Sequence, residues 1–173
     1  MDLLRQNIIS GNISYIQKID RELQLHLKQR VQLDAFSQAP LRIDHQSTSL
    51  IPDDVPSLSG RSVAIETTGD GNCLFNSTSL FLRGDESLAE CLRMLTACEL
   101  YQNANEYTLI QPKMKKLFSR AIAHDSVYVH LLLSNDAFDK YEEQNNLVDA
   151  IQCEAVNTCT NYTWCGLLQI YAP

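Results

Sequence analysis

Apolar residues follow a helical repeat near the start of the chain. Over residues 12–37 an apolar side chain recurs every three or four positions, with charged residues between. The pair Gly11-Asn12 is a helix start signal. We predict a helix in an N-terminal arm, residues 1–37, which either packs on the rest of the chain or binds a partner. The apolar stripe comprises Ile16, Ile19, Leu23, Leu27 and Val31.

The repeat stops over residues 38–60. This stretch is rich in serine, proline and aspartate, and Pro40, Pro52 and Pro56 interrupt any periodicity. We therefore predict a linker here, followed by a domain over residues 61–173.

After this linker the pattern changes from that of a strand to that of a helix. Residues 62–67 alternate small or polar side chains with β-branched ones, which predicts a strand. Gly69 and Gly71 then supply turn conformations. A helical repeat follows and predicts a helix that begins at or beside Cys73. Its repeating positions are Leu74, Phe75, Thr78, Phe81 and Leu82.

Two further helices are predicted from start signals. Ser87 and Glu90 have the spacing of a capping box, ahead of a helix with Cys91 and Cys98 on its buried face. Pro112 stands at the first position of another helix.

The last part of the chain is also predicted to be helical. Residues 136–159 have a helical pattern with a weak point at Asn145-Asn146, and residues 164–172 begin a final helix. Together with the strand at 62–67, these helices predict an α+β fold that is rich in helix.

Cys73 is the main candidate for chemistry. Unpaired N–H groups and the positive end of the dipole at a helix N-terminus stabilise a thiolate. The same N–H groups, with those of the preceding loop, can bind an oxyanion once a carbonyl is attacked. The alternative is that Cys73 is a small buried residue in an ordinary strand-to-helix turn. The spacing alone leaves both interpretations open.

A family resemblance favours the first interpretation. The segment Gly-Asp-Gly-Asn-Cys-Leu-Phe at residues 69–75 resembles the signature of the OTU (ovarian tumour) family of papain-like cysteine proteases. Leu92-Arg93 is similar to a Leu-Arg pair on a later helix of that family. Residues 50–56 are, in addition, similar to the OTU-like region of vertnin.

The end of the chain resembles the same family more loosely. Residues 164–172 look like the Trp-Gly-Gly segment of OTU proteins, with Cys165 in place of the first glycine and Gln169 where a glutamate is usual. The whole resemblance spans roughly residues 62–172.

The resemblance implies a fold, an activity and roles for particular residues. The fold would be an α+β, papain-type protease fold, and the activity hydrolysis of isopeptide or peptide bonds after the C-terminal glycine of ubiquitin or a ubiquitin-like protein. No cofactor or metal would be needed. Cys73 would be the nucleophile, Asp70 would act through loop geometry and its amide, Gly71 and Asn72 would complete the oxyanion loop, and Trp164 would shape the substrate site.

A thiol protease also needs an imidazole base and a group that orients it. OTU proteins carry both on a strand beyond the Trp-Gly-Gly helix, and we expect the sequence to stop before this strand, which would also make the fold richer in helix. None of the four histidines matches the family position: His26, His45, His124 and His130. Two hypotheses follow. Either a longer protein supplies the histidine to a deubiquitinase that is inactive as this fragment, or the chain is a non-catalytic OTU-like pseudoenzyme that binds or regulates proteins.

Composition narrows the remaining possibilities. The net charge is −7, and no basic stripe interleaved with aromatic residues occurs, so we expect no nucleic-acid partner. The six cysteines include no CxxC pair, so no metal site is expected. Neither a signal peptide nor a long apolar run is present, which predicts a cytoplasmic or nuclear protein without membrane attachment. The oligomeric state is left open.

Overall fold

A computed structural model describes residues 1–32, 34–52, 62–109, 132–161, 163 and 167–171. These residues form ten helices and one two-stranded sheet, which is compatible with the expected α+β class. No helix in this part of the chain is long and apolar enough to cross a membrane. The helices are α1 (Asp2–Ile9), α2 (Ile13–Arg30), α3 (Ala35–Gln38), α4 (His45–Thr48), α5 (Cys73–Arg83), α6 (Ala89–Gln102), α7 (Ala104–Thr108), α8 (Asn135–Gln144), α9 (Leu147–Thr158) and α10 (Leu167–Tyr171).

The N-terminal helices pack on the central helices. The helix predicted within residues 12–37 is confirmed as α2, and the side chain of Asn12 caps it by accepting a hydrogen bond from the Tyr15 N–H at 3.3 Å. α2 packs against α6, and α1 packs against α9. Their shared apolar cluster contains Leu4, Ile8, Ile16, Ala97, Cys98 and Cys159.

The sheet joins the segment predicted as a linker to the strand that precedes Cys73. β1 (Ile43–Asp44) runs antiparallel to β2 (Ala64–Ile65), with Ile43 opposite Ile65. The Thr48 hydroxyl accepts a hydrogen bond from the Ala64 N–H at 2.9 Å. The strand predicted over residues 62–67 is confirmed only at residues 64 and 65, so it is shorter than expected. The division into arm, linker and domain stays a prediction.

α5 begins at Cys73, as predicted, and ends at Gly84. Gly84 has φ +81°, and a Cβ there would lie 2.8 Å from the Ala35 carbonyl oxygen, so the turn into α6 requires glycine. The capping box predicted from Ser87 and Glu90 is wrong. The N-cap of α6 is Leu88, one residue later in the chain than the predicted Ser87. The Leu88 N–H donates a hydrogen bond to the Ser79 hydroxyl at 2.9 Å, and this contact with α5 fixes the position of the N-cap.

The helical segment at 136–159 is confirmed with its break. Asn145 adopts φ +50° and ends α8, and the Asn146 side chain caps α9 by accepting from the Val148 N–H at 3.0 Å. The helix predicted at Pro112 lies outside the described residues. The helical core formed here comprises Leu100, Ala104, Tyr107, Leu132, Leu133, Ala137, Ala150, Ile151, Ala155 and Leu168.

Candidate active site

Cys73 is the first residue of α5, and its side chain is half-buried. The N-cap residue Asn72 makes no side-chain cap, and its side-chain amide nitrogen donates a hydrogen bond to Asp70. Within the described part of the chain, the N–H groups of Cys73, Leu74 and Phe75 have no hydrogen-bond acceptor. These donors and the helix dipole favour a negative charge beside the Cys73 thiol.

The Asp70 carboxylate organises the loop in front of Cys73. One of its oxygens accepts from the Asn72 N–H at 2.9 Å and from the Asn76 amide at 3.1 Å, and the other accepts from the Asn72 amide at 3.1 Å. These bonds, the Asn72 backbone bond first, hold the pKa of Asp70 below its ordinary value of 3.8. The carboxylate is therefore an acceptor at neutral pH.

Asn76 is a loop partner that the sequence analysis missed. Its side chain is buried, and it donates both to Asp70 and to the Thr68 carbonyl at 3.0 Å. A signal was available, because an asparagine in a helix interior next to Phe75 is costly unless it bonds to something.

Gly71 has a positive φ of +83°, a backbone conformation that favours glycine. Its carbonyl accepts a hydrogen bond from Nη2 of Arg93 at 3.0 Å. The structure thus brings together four residues predicted from the sequence: Asp70, Gly71, Asn72 and Cys73. Their catalytic roles stay predictions, and Trp164 lies outside the described residues.

Arg93 is fully buried behind this loop. Besides Gly71, its guanidinium donates to the carbonyls of Thr158 at 3.2 Å and Thr160 at 3.0 Å, and to both the carbonyl and the hydroxyl of Thr163 at 3.0 and 3.1 Å. It also lies 4.7 Å from the centre of the Phe75 ring. The carbonyl end of α9 complements the positive charge. Arg93 belongs to the Leu92-Arg93 pair that resembles the OTU family, but the sequence did not indicate these contacts.

A buried carboxylate lies beside the same end of α9. Glu154 is 1% exposed and accepts from the N–H and the hydroxyl of Ser134 at 2.9 and 2.6 Å. Its second oxygen accepts from the Gln169 amide at 2.5 Å, which also donates to the Thr158 hydroxyl at 3.1 Å. An amide at position 169 therefore suits this pocket, because a glutamate would face another carboxylate.

The structure describes four further cysteines. Burial raises the pKa of Cys98 and Cys159 to about 12, and it also raises the pKa of Cys91 and Cys153. These four are neutral thiols at physiological pH, and such thiols are poor nucleophiles.

No histidine among the described residues is hydrogen-bonded to Cys73. His26 lies on the exposed side of α2, 3.3 Å from the Arg30 guanidinium, and His45 is the first residue of α4. His124 and His130 lie outside the described residues. No cluster of metal-ligating side chains is found in the described ranges.

Comparison with protein families places this loop and its surroundings in an OTU-like domain. The matching family model is described as "Vertnin, OTU domain" and covers residues 64–173, from β2 through Cys73 and Arg93 to the last residue. The chain belongs to this vertnin OTU domain family, which confirms the family resemblance seen in the sequence. Residues 50–56 lie outside the matched range, so their similarity to vertnin stays a prediction. No curated protein and no solved structure matches the chain.

Proposed function

We propose that this OTU-like module has a papain-type active site and is a thiol-dependent deubiquitinase. Its substrate would be the bond that follows the C-terminal glycine of ubiquitin or a ubiquitin-like protein. Cys73 would be the nucleophile. The loop of Asp70, Gly71 and Asn72 would form the oxyanion site, and Trp164 would shape the cleft.

The position of Cys73 carries this proposal. It is a half-buried thiol at the start of α5, next to three N–H groups without acceptors in the described part of the chain. An oxyanion needs such donors already in place before it forms, because reorienting them during the reaction costs free energy. The Asn72 N–H is bonded to Asp70, so we assign the oxyanion to the Cys73 N–H and to the loop N–H groups beside Asp70.

The reaction would proceed in two acyl-transfer steps. The Cys73 thiolate attacks the glycine carbonyl, and the oxyanion collapses to a thioester as the lysine amine leaves with a proton from the imidazolium base. Water, deprotonated by the same imidazole, then attacks the thioester and releases the glycine carboxylate and the thiol. We assign the base to a histidine outside the described residues, since neither His26 nor His45 bonds to Cys73.

A covalent ubiquitin probe tests the proposal. The full-length protein is incubated with ubiquitin that carries a C-terminal propargylamide, and the modified residue is identified by mass spectrometry. We expect one adduct, on Cys73, which Cys73→Ala abolishes.

The matched control is Cys153→Ala. Cys153 is half-buried like Cys73 but lies in the interior of α9 and not at a helix N-terminus, so its removal should leave labelling unchanged. Folded full-length protein that forms no Cys73 adduct would refute the deubiquitinase proposal.

A non-catalytic protein-binding module is the second candidate. It is favoured by the hydrogen bonds that the polar side chains of Asp70, Asn72 and Asn76 make with one another beside Cys73. Such a set stabilises a loop whether or not chemistry follows. Ubiquitin binding measured by calorimetry, without any adduct at Cys73, would support this candidate over the first.

A further inference from the structure

The peptide unit between Gly71 and Asn72 is held at both ends. Its carbonyl oxygen accepts from Arg93 at 3.0 Å, and its N–H donates to Asp70 at 2.9 Å. The C=O and N–H of a trans peptide point in opposite directions, so the two bonds together oppose rotation of this unit. Cys73 follows directly, and the orientation of its own N–H depends on this peptide.

Arg93 connects this peptide to a distant part of the chain. The same Nη2 that bonds to Gly71 also donates to the Thr163 carbonyl, and Nη1 donates to Thr158, Thr160 and the Thr163 hydroxyl. A planar guanidinium presents five donors in a fixed geometry, whereas a lysine ammonium presents three on a flexible stem. Only arginine can hold the loop and the end of α9 at the same time.

Burial makes these bonds strong. Arg93 has no exposed surface, and its guanidinium carbon lies over the ring of Phe75, two residues after Cys73. In such surroundings water does not compete for the donors, and hydrogen bonds from a charged group are stronger than neutral ones.

We propose that Arg93 is a positioning residue of the nucleophile loop: it fixes the Gly71–Asn72 peptide, and through it the Cys73 N–H, against the end of α9. This inference rests on the proposed function for its catalytic consequence. Its structural part concerns the order of the loop and is measurable separately.

The first experiment compares Arg93→Lys with Arg83→Lys in the full-length protein. Arg83 lies on the same helix as Cys73 and donates to the Arg30 carbonyl at 2.9 Å, away from the nucleophile loop, so it is the matched control. Hydrogen exchange of backbone amides is measured by NMR. In Arg93→Lys we expect exchange at Asn72 to rise about tenfold while amides in α2 keep their rates, and in Arg83→Lys we expect no change at Asn72.

The second experiment separates positioning from folding through kinetics with the propargylamide probe. We expect the maximal labelling rate of Arg93→Lys to fall about 100-fold, as for a misplaced catalytic group. The probe concentration at half-maximal rate should stay unchanged, and so should alkylation of Cys73 by iodoacetamide, which needs no oxyanion site. A merely structural role would instead lower the amount of reactive protein and leave the rate of the folded fraction intact.

Exchange at Asn72 decides between these possibilities. Wild-type exchange at Asn72 in Arg93→Lys overturns the proposal, and so does faster exchange at all amides alike. If wild-type protein fails to label with ubiquitin, the proposed function fails, but exchange at Asn72 still decides the positioning role. If Arg93→Lys does not fold, Thr163→Val removes one guanidinium partner, and an unchanged Asn72 amide in that variant overturns the proposal.

Discussion

The nucleophile loop, residues 68–73, and the helical core around α6 and α9 are held together by different forces. The core consists of apolar side chains such as Leu100 and Ile151, which are buried almost completely. The loop is held by directional hydrogen bonds to Asp70, Asn76 and Arg93. Apolar burial is not directional and gives stability, whereas hydrogen bonds fix the geometry of a few atoms. The core therefore decides whether the protein folds, and the loop bonds decide how the Cys73 amide points.

Two buried charges lie where these regions meet. Arg93 and Glu154 are both almost fully buried, and both reach Thr158 at the end of α9, Arg93 directly and Glu154 through Gln169. Thr158 therefore lies at the junction between the core and the loop. The predictions below separate the two regions.

The largest effect is expected in the helical core. Leu100→Ala should lower the free energy of unfolding by about 2–5 kcal/mol, because it leaves a cavity among fully buried side chains. Denaturant unfolding measures this. Alkylation of Cys73 in the folded protein should not change, and a change there would mean that core and loop are not separable. The control Leu109→Ala, at a 60% exposed leucine, should cost less than about 0.5 kcal/mol.

A smaller effect is expected at the junction. Gln169→Glu should cost about 1–3 kcal/mol at pH 7, because the introduced carboxyl replaces a donor to Glu154 with a second acceptor. Burial and the neighbouring carboxylate would raise the pKa of the introduced group above its unfolded value, so the loss should shrink as the pH falls to 5. Thermal unfolding at both pH values tests this.

Two further variants check the junction. The double variant Glu154→Gln/Gln169→Glu again pairs one carboxyl group with one amide. It should therefore recover most of the stability that Gln169→Glu alone loses. Gln152→Glu, elsewhere on α9, should have little effect. Equal losses in Gln152→Glu and Gln169→Glu would contradict the assignment.

The smallest effect is expected in the loop itself. The hydrogen bonds from Asn72 and Asn76 lower the pKa of Asp70 in the folded protein, so they stabilise the loop fully above pH 3.8 and are lost as the pH falls through the lower, folded value. The NMR shifts of the Asn72 N–H and the Asn76 amide should report this transition. Asp70→Asn should remove it, and global stability should change little.

Asp85 provides the control for this titration. Its pKa is also lowered, by Ser87 first, but it lies at the far end of α5. Asp85→Asn should leave the transition at Asn72 unchanged. A transition that disappears in Asp85→Asn would show that the shifts report general acid unfolding and not the Asp70 bonds.

Much of the secondary structure could be predicted from the sequence because it depends on neighbours along the chain. The stripe of α2, the start of α5 at Cys73 and the break at Asn145 are written in local spacing and turn residues. The capping box at Ser87 failed because a tertiary contact, Leu88 N–H to the Ser79 hydroxyl, determined where α6 begins. The strand β2 is shorter than the predicted strand at residues 62–67, because the length of a strand depends on the segment that pairs with it.

The sequence by itself determined that a cysteine follows a glycine-rich turn at a helix N-terminus, and its residues 64–173 are sufficient to assign the vertnin OTU domain family. Only the tertiary structure decided what orients that turn. Arg93 is 22 positions from Gly71 and 70 from Thr163, and Glu154 is 15 from Gln169. Such contacts carry no periodic signal, because they depend on how α5, α6 and α9 pack against one another and not on the order of residues within any one of them.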